Sequence, residues 1–148
     1  MKTTPCYIGV VKAMIALTDY KKSANYSTND MVERKLEKGL NYILDHQVYK
    51  RQSNGEPITK DILKLTFPFS YKTNVIEILR LLKENNFDSD SRCDSAKNIL
   101  KTKKQKEGYW KINGSYSPKG WIPFDKPKEP GFWISYEIEK LINSAHNN

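Results

Sequence analysis

The feature that most limits how this chain can fold is an alternation between two kinds of apolar segment. Residues 5–18 carry Ile8, Val11, Ala13, Ile15, Ala16 and Leu17 around most of a helical circumference, and Pro5 suits a first helical turn. A helix of that kind needs cover on more than one side. The next segment follows the capping residues Ser27 and Thr28. It sets Val32, Leu36, Leu40, Ile43 and Leu44 at helical spacing, with Glu33, Arg34, Glu37 and Lys38 opposite, as an outer helix with one wet face requires.

Residues 74–85 repeat the first kind through Val75, Ile76, Ile78, Leu79, Leu81 and Leu82. Asp88 or Asp90 can cap a helix of the second kind containing Ala96, Ile99 and Leu100, whose other face holds Arg92, Asp94 and Lys97. A last helix is expected over residues 133–145, with Ile134, Ile138, Leu141 and Ile142. The order inner, outer, inner, outer, inner predicts a single all-α domain of about two and a half helical hairpins. Leu17, Leu82 and Ile142 close the inner helices at similar intervals, as a repeated hairpin with loop insertions does. The connection over residues 48–73 contains Asn54-Gly55, Pro57 and Pro68, and its length predicts a short helix near residues 60–65.

Charge and composition remove several function classes. The chain of 148 residues carries a net +8, which invites a nucleic-acid reading. Most of that excess is lysine spread along the whole length, and only Lys101, Lys103, Lys104 and Lys106 are dense. A phosphate-tracking surface favours arginine forks or interleaved aromatics, so a solvated helix end is the better account and nucleic acid is not expected as a partner. No apolar run approaches a membrane span, and residues 1–6 do not form a secretory signal, which makes the cytoplasm the expected location. Cys6 and Cys93 are far apart and belong to no Cys/His cluster, so free thiols are expected, with Cys6 a candidate for facing a cavity.

The segment at residues 100–110 contains Gln105, Gly108 and Trp110 in the order Gln-x-x-Gly-x-Trp, at the end of an outer helix. Around it stand Lys38-Gly39-Leu40-Asn41-Tyr42-Ile43-Leu44, then Phe67-Pro68, the third helix, and Glu129-Pro130-Gly131-Phe132-Trp133 opening the fifth. The turn resembles the QW repeat of squalene cyclases. The order of parts is similar to the prenyltransferase-like and squalene-cyclase-like group across most of the chain from Cys6 onward. That resemblance implies an α/α toroid of inner and outer helices, in which glutamine and tryptophan tie neighbouring helices on the outside. Gly108 suits a positive backbone angle after a helix, and Trp110 offers a broad face to stack over Gln105 and the next helix. A closed toroid needs more hairpins than this sequence supplies. The chain is therefore expected either to lack upstream hairpins or to cover its open side by self-association.

The residues that the resembling enzymes use for catalysis are missing. There is no Asp-x-Asp-Asp motif; Asp88-Ser-Asp90-Ser is the nearest and reads as a helix cap. No Asp-Asp-x-x-Asp magnesium site occurs, and the only histidines, His46 and His146, have no ligand partners at usable spacing, so no metal or cofactor is expected. Tyr71, Trp121, Phe132 and Trp133 precede or open inner helices, the ends of which border the cavity in a toroid. Together with Cys6 they are candidates for binding an apolar, isoprenoid-type ligand. The rival expectation is a non-catalytic module whose concave helical surface binds protein. An enclosed aromatic pocket separates the first from the open groove of the second.

Overall fold

The structure, a computed structural model, describes residues 5–23, 27–114 and 124–143. Among the described residues it is all-helical and without strands: α1 (Tyr7–Lys21), α2 (Asp30–Asp45), α3 (Val75–Glu84), α4 (Asp94–Thr102) and α5 (Phe132–Ile142). No helix there is long and apolar enough to cross a membrane. α1 packs on α2 and α3, α3 packs on α5, and α4 packs on α5. The three segments read as inner therefore form a row with α3 in the middle.

The close approach of α1 and α2 depends on a missing side chain. A Cβ at Gly39 would stand 2.1 Å from Met14 Sδ, so the glycine is what lets the methionine seat between the helices. α3 begins at a cap that is itself buried. The Asn74 side chain accepts from the N–H groups of Ile76 and Glu77 and donates to Thr66, filling its hydrogen-bonding capacity inside the core. Between α1 and α3, the Lys12 ammonium donates to both carboxylate oxygens of Glu77 at 2.8 Å and to the Ser70 carbonyl. Lys12 is thus a strut between α1 and α3.

Three local expectations need correction. α2 is capped by Asn29, whose side chain accepts from Met31 and Val32, and not by Ser27 or Thr28. Pro5 lies outside α1, one residue before the extended N-cap Cys6. Residues 60–65 form turns in place of a helix, because the Ile62 carbonyl is taken by the Val75 N–H at 2.7 Å and Asp61 is ion-paired to both Lys64 and Lys72. Asp90 does cap, through the Arg92 N–H of a short 3-10 turn, Ser91–Cys93, that leads into α4.

The long link between α2 and α3 is held from several sides. Tyr7 donates its hydroxyl to the Val48 carbonyl, Tyr49 hydrogen-bonds Ser95 at 3.0 Å, and Lys50 pairs with Pro57 in an isolated bridge. Val48 takes a positive φ of 73° and is fully buried, which turns the chain back under α2.

Candidate functional site

Trp110 is the hub of the turn after α4. It is fully buried, its indole N–H donates to the Leu100 carbonyl at 2.7 Å, and its backbone N–H donates to Ser135 Oγ at 2.9 Å. One residue thereby joins α4 to α5. Gly108 has a φ of +92°, the left-handed conformation expected of it, and its N–H donates to the Gln105 carbonyl. The Gln105 side chain donates to the Lys103 carbonyl, and the cation over the Trp110 ring is Lys104, 4.8 Å from its centre. α5 is then started from a distance: the buried Asp125 carboxylate accepts from the N–H groups of Trp133 and Ile134, favoured by the positive end of the helix dipole.

The aromatic candidates separate. Trp133 belongs to a cluster in which Phe67 lies parallel to it at 6.2 Å, while Phe124 meets both edge-on and Phe69 meets Phe67 edge-on. Phe67, Phe69 and Phe124 were missed as site residues. The cue was the run Phe67-Pro68-Phe69 ahead of α3, as Trp133 stands at the start of α5. The cluster is open, since Trp133 is 49% and Phe124 55% exposed. Phe132 is 80% exposed and, with Tyr136, points away from the core along one side of α5.

Tyr71 is 78% exposed and borders a separate concavity of about 240 Å³ with Ile8, Thr59 and Thr73. Cys6 lines a third feature, an open groove of about 460 Å³ between α1 and α2, with Gly9, Ala13, Met14 and Tyr42 and with Lys35 and Lys38 on its border. Trp121 and His146 lie outside the described residues. Each of the remaining candidates thus borders a different feature.

His46 donates from Nδ1 to the Lys50 carbonyl at 2.8 Å and is packed edge-on between Tyr7 and Tyr42. Burial raises the pKa of Tyr7, with Tyr42 adding to it, so the hydroxyl stays protonated as a donor. The buried Cys93 thiol is likewise pushed up, to about 11, by desolvation. Hydrogen bonds from Arg92 hold the Asp90 carboxyl below its usual range; Arg92 also reaches Asp45 at 2.8 Å, fastening the end of α2 to the start of α4. Among the described residues no group of three His, Cys, Asp or Glu is placed to hold a metal.

No protein family, curated protein or solved structure matches this chain.

Proposed function

We propose that this chain is a non-catalytic helical module that docks against further helices, those of another copy or of additional hairpins, through its uncovered apolar faces. The observation that carries this reading is the pair Phe132 and Tyr136, one turn apart and exposed along one side of α5, with the half-exposed Trp133 and its ring cluster beside them. Large aromatic side chains each bury about 150–250 Å² at a contact and dominate interface energetics. Large apolar side chains grouped in the open on one helix mark an interaction site. The QW-like turn supports the same reading by its role as a joint between helices, and the proposed architecture is an open α/α toroid completed by the docked helices.

Sedimentation at rising concentration, with a hydrophobic dye as a second readout, tests this. Concentration-dependent association and dye binding are expected, and both should fall in the Phe132→Ser, Tyr136→Ser double variant. A strictly monomeric protein that binds no dye overturns the proposal.

A second reading is favoured by the parallel Phe67 and Trp133 rings with Phe124 across their edges: a shelf for one apolar, isoprenoid-type molecule. Native mass spectrometry of the expressed protein separates the two, because co-purified lipid is expected only for the shelf.

A further inference from the structure

On a different face, three lysines from three separate segments meet around one concavity. Lys103 comes from the end of α4, Lys111 from the segment after Trp110, and Lys128 from the turn before α5. Together with Thr102, Gln105 and Asn113 they line a space of about 360 Å³.

The lysines lack counter-charges. All 17 aspartates and glutamates of the chain fall within the described residues, and none is in ion-pair distance of Lys103, Lys111 or Lys128. Their neighbour Lys104 does have one, Glu139 at 3.6 Å. Lys103 alone would be explained by its position, since cations are favoured at helix C-termini. That account does not extend to Lys111 or Lys128, which are not at the end of a helix.

The concavity is also firm. Asn113 is clamped to Leu65 by a reciprocal pair, its N–H donating to the Leu65 carbonyl at 2.7 Å and its Oδ1 accepting the Leu65 N–H at 2.9 Å. Its side-chain amide nitrogen remains as a donor. Lys128 takes a positive φ of 71°, which is uncommon for a residue with a side chain.

We propose that this concavity binds a phosphate group, free or as the monoester of a small molecule. Lysine binds phosphate as a point charge, and a monoester carries about −1.5 to −2 at neutral pH, which suits three ammonium groups without a carboxylate partner, one of which, Lys111, lies 5.7 Å from the centre of the Tyr109 ring. The placement of the three lysines on three segments around one concavity favours a compact anion over an extended polyanion.

Isothermal titration of the full chain with inorganic phosphate and with phenyl phosphate, at about 0.15 M salt, tests the site. One-to-one saturable binding is expected. Tighter binding of phenyl phosphate identifies a monoester site, and equal binding identifies a free-phosphate site. Lys111→Gln with Lys128→Gln should weaken binding about tenfold or more, while Lys35→Gln with Lys38→Gln, which removes the same charge from another face, should leave it within about twofold. Circular dichroism of both variants guards against loss of fold. Absence of saturable binding to wild type overturns the proposal, as does equal weakening by the two variants, which would indicate a general positive field. A single-stranded oligonucleotide that binds without competition from phosphate overturns it in favour of nucleic acid along the lysines at residues 101–106.

Discussion

α3 and α1 have the same kind of sequence and different fates. In α3, Val75, Ile76, Ile78, Leu79, Leu81 and Leu82 are all buried, because α1 lies on one side and α5 on the other. In α1, only Tyr7, Val11, Met14 and Thr18 are buried, although apolar residues run around the helix; Gly9, Ala13 and Ala16 face outward. Burial in this chain is therefore decided by place in the row. α3 is flanked in the row by α1 and α5, whereas α1 has α3 on one side of the row only and, even with α2 packed on it, leaves Gly9, Ala13 and Ala16 open.

Truncations at matched positions put that contrast under the most strain. Leu82→Ala, in the fully buried middle, should destabilise by about 2–5 kcal/mol in urea unfolding, and Leu17→Ala, half-buried at the end, by about 1 kcal/mol. Equal losses would mean that the end of the row is covered in solution. The next largest effect separates the covered and uncovered sides of α1. Gly39→Ala, which drives a Cβ into Met14, should cost about 2 kcal/mol, whereas Gly9→Ala meets nothing nearer than 3.7 Å and should stabilise by about 0.5–1 kcal/mol through helix propensity. Loss of stability in the Gly9 variant would place a docked helix over that side.

Caps sharpen the comparison further. Asn74→Ala, at the buried start of the middle helix, should lower the urea-derived stability by about 1.5 kcal/mol, and Asn29→Ala, at an exposed helix start, by about 0.5 kcal/mol. The smallest effect is electrostatic. Asp90 has its carboxyl pKa depressed by Arg92, so its contribution is fully present above the unfolded value of about 3.9 and is lost as pH falls through the lower folded value. Stability of the native chain should decline below about pH 4. Arg92→Gln should flatten that decline and lower stability at pH 7 by less than about 1 kcal/mol, the scale of an exposed pair.

Much of this architecture was legible in the apolar spacing. The residue patterns around Leu40, Leu82, Leu100 and Ile138 placed the helices, and Gly108 announced its positive φ, because these depend on local geometry. The rest depended on contacts between distant segments. Asn29 displaced Ser27 and Thr28 as a cap through details of a single turn, and Ile62 was drawn out of a helix by a hydrogen bond to Val75. The candidate site was less legible than the fold. Trp133 is in an aromatic cluster, but its neighbours Phe67, Phe69 and Phe124 come from segments that no periodicity connects. Tyr71, two residues beyond Phe69, points to water. The Lys12–Glu77 pair was not legible either, since the two residues lie 65 positions apart on α1 and α3.

The two cysteines give the molecule a built-in optical handle. Cys93 is buried and its thiol is kept protonated up to about pH 11, so it is shielded from electrophiles, whereas Cys6 is exposed at the mouth of the groove between α1 and α2. A maleimide fluorophore should therefore attach to the native chain at one position, without engineering, beside the very face that the end of the row leaves open. Its emission would then report, in real time, anything that settles there.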